Sequence, residues 1–252
     1  MQQIAVVTGG SSGIGAALAR ALAGRGWRCV LLARREEPLR KLAEEVGGEH
    51  EVCDVADRDA VARTAATVLE RHPEIKLLVN NAGIPGRTGF VDSDPERIDL
   101  VTRVNYLGSV WCLNAFLPGL LAAVPSDVVN IASVAGTVTA GTSGPYSASK
   151  HAQVSFSRAV TAELRPRGVR VHTVLPGFVE TEGFPQRSVF PRFMHRVIAE
   201  PEDVAKAVLR AIDHDKREVY VPRYYRFATL AQALFPGSVA RTAASGRLKK
   251  PA

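Results

Sequence analysis

Cysteine is scarce in this 252-residue sequence, and the three that occur, Cys29, Cys53 and Cys112, stand far apart. An odd, dispersed set excludes a disulfide-stapled miniprotein and offers no zinc-ligand spacing. Apolar neighbours make each a buried, reduced thiol, which points to the cytoplasm. The six histidines are equally scattered, so no metal site is expected. Long apolar runs are missing as well. No uninterrupted stretch reaches the ~18 residues of a membrane span, and the candidate at 227–240 is broken by Pro236-Gly237. The chain opens strand-like, on Ile4-Ala5-Val6-Val7, without the charged region or cleavage site of a secretory signal. Acidic residues are nearly absent from the end. The last 37 residues hold eight basic side chains against Glu218 alone, so they carry the whole formal net charge of +7 and leave residues 1–215 balanced. A neutral body with a basic tail and no recognisable nucleic-acid module argues against a nucleic-acid partner.

What is present is an ordinary globular composition, 46% hydrophobic and 23% charged, at a length that suits one large α/β domain. Apolar, β-rich runs at 4–8, 28–33, 76–80, 127–132, 169–174 and 218–221 read as strands, and another ends at 51–54. Helical patterns fall between them, at 13–25, 36–46, 57–71 (capped by Asp57), 95–121, 146–164 and 201–214. Strands buried on both faces and separated by amphipathic helices define a Rossmann-like, doubly wound parallel sheet with helices on both faces. Ligands of such sheets bind at the carboxyl ends of the strands. Residues 1–222 form one domain in this reading, with 223–252 as an extension.

The turn after the first strand is rich in glycine: Thr8-Gly9-Gly10-Ser11-Ser12-Gly13-Ile14-Gly15. Glycine permits positive φ and close approach of a pyrophosphate, and the following helix offers free N–H groups and a positive dipole end. A turn of this composition could serve packing alone, but its place between strand and helix favours a dinucleotide. At the end of the second strand, an acidic residue would bond the ribose 2′-hydroxyl. Arg34-Arg35 stands there instead. Guanidinium groups pair with a phosphate dianion, so NADP(H) is the expected cofactor. The alternative is that both arginines are solvated charges at a helix start.

Tyr146-Ser147-Ala148-Ser149-Lys150 places a phenol and an ammonium four residues apart on one helix face. A free tyrosine titrates near 10, too high for efficient proton exchange at neutrality, and a nearby lysine would favour its phenolate. Ser133 closes the fifth strand and Asn80-Asn81-Ala82-Gly83 the fourth, both at the edge where a substrate would sit. Asn105 lies within a helix, where an amide is a poor former unless it has a task or ties helix to loop.

These residues, with Asp54-Val55 and Pro176-Gly177 followed by Thr181, occur in the order and spacing of the short-chain dehydrogenase/reductase family, which the chain resembles over about residues 3–220. The resemblance implies Tyr146 as general acid/base and Ser133 as the group that positions the carbonyl or hydroxyl. Lys150 would bind the nicotinamide ribose and lower the Tyr146 pKa, while Asn105 would hold a water on the proton path. It also implies cofactor contacts from Gly9, Ser11, Ser12, Gly13, Ile14, Gly15, Asp54, Val55, Asn81, Ala82 and Gly83. Further contacts would come from Pro176, Gly177, Val179 and Thr181. Hydride would pass between nicotinamide and substrate carbon, and a homodimer or homotetramer is expected of such a relative. A different class, a dinucleotide-binding sensor or scaffold without turnover, usually lacks the tyrosine or the lysine; both are present here.

Residues 181–200 supply Phe184, Phe190, Phe193 and Met194, broken by Pro185 and Pro191. In related proteins this stretch is a lid, and with the small residues at 136–144 it points to an apolar or lipid-like substrate. Ser143 reads as an ordinary turn residue. Finally, Tyr220–Ala244 alternates Tyr224, Tyr225, Phe227, Leu230, Leu234 and Phe235 with Arg223, Arg226 and Arg241. Two readings follow: peripheral contact with an anionic membrane, or a helix packed on the domain or a neighbouring subunit.

Overall fold

A computed structural model describes residues 2–86, 89–139, 143–188 and 190–244. Its strands are β1 (Ile4–Thr8), β2 (Arg28–Ala33), β3 (Glu49–Val52), β4 (Leu77–Asn80), β5 (Ser126–Ile131), β6 (Val169–Pro176) and β7 (Glu218–Val221). All pair parallel in the order β3-β2-β1-β4-β5-β6-β7. The winding reverses between β1 and β4, which opens a crevice at the carboxyl edge. Register brings the functional loops to that edge: Thr8 lies opposite Leu32, Asn80 opposite Asn130, and Pro176 opposite Val221.

Alternation along the strands divides the core into two layers. Ala5, Val7, Leu31, Val79, Val129 and Val174 pack on α1 (Gly13–Ala23), α2 (Glu36–Glu45) and α7 (Pro201–Asp213). Val6, Val30, Leu78, Val128 and Val171 face α3 (Arg58–Arg71) and α5 (Gly108–Ala122), with Leu164 of α6 (Gly144–Leu164). Helix starts follow from their caps. Asp57 accepts from the N–H groups of Asp59 and Ala60 at 2.9 and 3.1 Å. Glu200 and Asp203 form a capping box around Pro201 at the start of α7.

Several boundaries differ from the sequence expectations. β3 ends at Val52, because the Asp54 carboxylate turns to accept from Ala56 N at 3.0 Å. β5 ends at Ile131, and Ser133 then caps a 3-10 turn, Val134–Gly136, accepting from Ala135 N at 3.1 Å. The helix from Pro95 is not uniform: α4 (Pro95–Thr102) joins α5 through a π-helical turn, Arg103–Leu107. This run, Pro95–Ala122, is long and apolar enough by length and composition to cross a membrane, which corrects the expectation that no segment is. Its Phe116, Leu113 and Leu120 lie in the second core layer, where a soluble fold also demands an apolar helix.

The tail forms α8 (Tyr225–Leu234) and α9 (Pro236–Ala244). α8 packs on the body. The Tyr225 ring occupies the space a Cβ at Gly177 would need, only 2.0 Å from that position, and Thr229 shares a 2.8 Å hydroxyl contact with Thr137. The packing reading of the tail therefore holds for one face of α8. Arg247, Lys249 and Lys250 lie outside the described residues, as do Ala140, Gly141 and Thr142 of the small-residue stretch.

Candidate active site

The glycine-rich turn is shaped as a cradle. Gly9 and Gly13 have φ of +64° and +55°, and a Cβ at Gly15 would lie 2.3 Å from the Gly9 carbonyl oxygen. No wider residue fits there without moving the turn. Ser12 precedes α1 without a side-chain capping bond, and no acidic residue stands in the first turn. The helix end is thus open to an anion, and Ser11, Ser12, Gly13, Thr181 and Glu182 help line a cleft of about 540 Å³ beside it. Thr181 approaches Gly13 from the opposite wall, with Cγ2 3.1 Å from the glycine's Cβ position. These features fit a dinucleotide pyrophosphate.

The remaining expected cofactor residues divide by what they touch. Asn81 donates from Nδ2 to the carbonyl oxygens of Thr8 and Gly9 at 2.9 and 3.2 Å. The Thr8 hydroxyl receives the N–H groups of Asn81 and Ala82. Asn81 and Ala82 therefore clamp the turn from β4. Val55 is buried against Gly108, while Asp54 lies at the surface, 4.0 Å from Arg34. Arg35 makes a two-pronged pair with Glu182 at 2.7 and 3.1 Å. Pro176 ends β6, Gly177 N donates to Val221 O at 2.8 Å, and Val179 is buried in the first core layer.

The catalytic candidates converge. Tyr146 lies in the first turn of α6; burial pushes the phenol up, and the Ser133 hydroxyl pulls it back. Lys150, one turn on, is buried and donates from Nζ to Ile131 O at 3.0 Å and Gln153 Oε1 at 2.8 Å. Burial pushes its ammonium down to about 7. The phenol stands above its ordinary value because desolvation outweighs the pull of the Ser133 hydroxyl, and the lysine's donors are turned to Ile131 and Gln153. Asn105 sits in the π-turn. It receives Ile84 N at 2.8 Å and donates to Ile84 O and Ser149 Oγ at 3.0 and 3.1 Å. That is the helix-to-loop tie. A Cβ at Gly83 would lie 3.4 Å from Asn105 Oδ1 and 3.7 Å from Lys150 Nζ, so glycine keeps the space between them open.

Of the aromatics at 181–200, Phe184 stands beside Tyr146 with ring centroids 6.0 Å apart, and Phe190 packs on Phe178 at 4.7 Å. The Phe193 and Met194 side chains lie outside the described residues. Ser143 shares a hydroxyl contact with Ser147. The three cysteines are buried, with their thiols pushed up by burial, Cys29 to about 12.

Three participants escape the motif reading. Gln153, fully buried, links Lys150 to Ser109 Oγ, to which it donates at 2.8 Å. Glu182 occupies Arg35, and Tyr225 covers Gly177 from the tail. Only Gln153 carried a signal, an amide one turn beyond the lysine on the same helix.

A parallel sheet with a glycine cradle at its switch point, and a Ser-Tyr-Lys group at the same edge, defines a dinucleotide-binding oxidoreductase. Residues 3–189 match the family model described as short chain dehydrogenase. The chain is 40% identical to the granaticin polyketide synthase ketoacyl reductase 1 of Streptomyces violaceoruber, over 71% of this chain and 68% of that protein. Among solved structures, actinorhodin polyketide ketoreductase with NADPH superimposes with a TM-score of 0.80 at 32% identity, covering 87% of this chain and 95% of its own. A short chain dehydrogenase/reductase from Burkholderia phymatum in complex with NAD gives 0.82 at 27%, covering 92% and 93%. The chain belongs to the short-chain dehydrogenase/reductase family. It is accordingly a carbonyl/hydroxyl oxidoreductase that uses a nicotinamide dinucleotide and a small-molecule substrate.

Proposed function

We propose that the protein is an NADP(H)-dependent oxidoreductase of an apolar, lipid-like ketone, aldehyde or secondary alcohol, acting as a cytoplasmic homo-oligomer with peripheral membrane contact through its tail. The observation that carries the reaction is the gathering of Ser133, Tyr146 and buried Lys150 at the carboxyl edge of the sheet, with Lys150 one turn beyond Tyr146 on α6 and bonded to Ile131 O at the end of β5. Two hydroxyls at one edge can hold one substrate oxygen, which fixes the carbonyl before reaction. Tyr146 then gives a proton to that oxygen during reduction or takes it during oxidation. Lys150 supplies partial positive charge near the phenol, and Asn105 fixes the loop behind it. A bound nicotinamide supplies or accepts the hydride. Phe184 beside Tyr146 supports an apolar substrate.

Arg34 and Arg35 at the end of β2 support NADP(H), as does the likeness to a ketoreductase solved with NADPH. Tyr146→Phe is expected to lower turnover by about 10²–10⁴-fold while leaving dinucleotide affinity intact. Steady-state rates on a carbonyl panel with a parallel binding titration check this, and unchanged turnover refutes it. Dinucleotide binding with no turnover of any carbonyl by the natural sequence would favour the sensor reading.

A further inference from the structure

We infer that α8 docks on an anionic phospholipid surface through a stripe that points away from the body. Around this helix, Tyr225, Thr229 and Gln232 fall on one side at helical spacing, and Tyr225 and Thr229 touch the body. The opposite side presents Phe227, Leu230 and Leu234, spaced i, i+3, i+7 and exposed by 61%, 54% and 61%, with Phe235 adjoining at 62%. Apolar side chains of that size in one contiguous stripe mark a contact surface rather than scattered exposure.

Charge selects the partner. Exposed Arg223 and Arg226 flank the stripe, the Arg226 guanidinium lying 4.9 Å from the Phe227 ring centroid, and exposed Arg241 follows on α9. Arg247, Lys249 and Lys250 follow in the sequence, and no Asp or Glu occurs after Glu218. An apolar stripe bordered by arginine, with no carboxylate in its segment, complements a bilayer carrying negative headgroups. A second copy meeting the same face across a two-fold axis would set arginines against arginines, with no acid in the segment to neutralise them.

Docking also deepens the apolar-substrate reading, on which this consequence alone rests. The inner side of α8 lies on Gly177, in the segment Pro176–Thr181 that borders the active site. One helix diameter, about 10–12 Å, then separates that segment from the lipid boundary, and a lipid-like substrate has a short path between them.

The test is vesicle flotation of the full chain with phosphatidylcholine alone and with phosphatidylcholine containing phosphatidylglycerol. Co-flotation is expected only with the anionic vesicles, and it should weaken at high salt. The triple variant Phe227→Ser/Leu230→Ser/Leu234→Ser and the double variant Arg223→Glu/Arg226→Glu should each reduce the bound fraction about tenfold. Both should keep the natural melting temperature and the turnover of a short, water-soluble ketone. No flotation, or flotation equal in the variants, overturns the inference. So does light scattering that shows the triple variant falling to a smaller oligomer, which would make the stripe a subunit interface. Flotation without ketone turnover would leave the docking standing and count against the proposed reaction.

Discussion

Lys150 has exchanged water for a small set of acceptors, and the identity of each one matters. A buried ammonium that loses a hydrogen-bond partner loses on the order of 1.5–3 kcal/mol. Gln153 is such a partner, 2.8 Å from Nζ and held in turn by Ser109 of α5. The other groups bonded to this pair, Ile131 O and the Ser109 hydroxyl, are uncharged, and the titratable neighbours on the same helix are Tyr146 and His151, whose Nδ1 is paired with Ser147 O. Gln153→Leu removes an acceptor from the charged form, so the Lys150 pKa should fall below about 7. At neutral pH the turnover number is expected to drop roughly tenfold. The limb on which activity is lost as Lys150 deprotonates should move to lower pH. Gln153→Glu supplies a carboxylate and should move that limb to higher pH; coincident profiles for the two variants would show that Gln153 only fills space. Tyr146, Lys150 and Ser133 were legible in the sequence because their roles rest on residue type and short spacing. Gln153 carried only the faint signal of an amide one turn beyond the lysine, because its partner Ser109 lies 44 positions away on another helix.

Elements were legible where burial is one-sided or complete. The apolar runs of β1, β2 and β4 to β6 exclude other assignments, and Asp57 and Pro201 mark helix starts by their own chemistry. Ends were less legible, because side-chain bonds such as that of Asp54 to Ala56 N stop a strand without altering its composition. The π-turn around Asn105 was hidden for the same reason: nothing in Arg103–Leu107 distinguishes i→i+5 bonding from an ordinary helix. Within the cradle, Gly15→Ala drives a methyl against the Gly9 carbonyl at 2.3 Å. Dinucleotide affinity is therefore expected to fall by about tenfold or more, as read by nucleotide fluorescence titration. Tyr225→Ala uncovers Gly177 and its apolar neighbours Ala132, Val134 and Leu175. It should cost roughly 2 kcal/mol and lower the melting temperature by about 4–8 °C, measured by scanning calorimetry.

For the molecule as a whole, the doubly wound parallel sheet could be argued from sequence because continuous apolar strands separated by helices leave few alternatives. The seating of the tail could not. Its residues suit a packed helix and an interfacial one equally, and only the position of Gly177 decides which side turns inward. Cofactor choice is also a global property, since a ligand that binds the folded state stabilises all of it. At concentrations about 100-fold above Kd the gain is about 2.7 kcal/mol, so NADPH should raise the melting temperature by several degrees and by more than NADH. A larger shift with NADH would overturn the argument from Arg34 and Arg35.

The Arg35–Glu182 pair has a bearing on that experiment. It bridges the crevice, joining the end of β2 to the segment after β6, and both side chains are half or more exposed. Water and salt screen such a pair, so it acts as a placeholder and not as a lock. A phosphate dianion competes for the same guanidinium with more charge and more acceptor oxygens. In that exchange Glu182 would be released on the opposite wall, only two residues from Phe184 beside Tyr146. On the NADP(H) proposal, the tether that spans the crevice would yield to a 2′-phosphate and not to a 2′-hydroxyl.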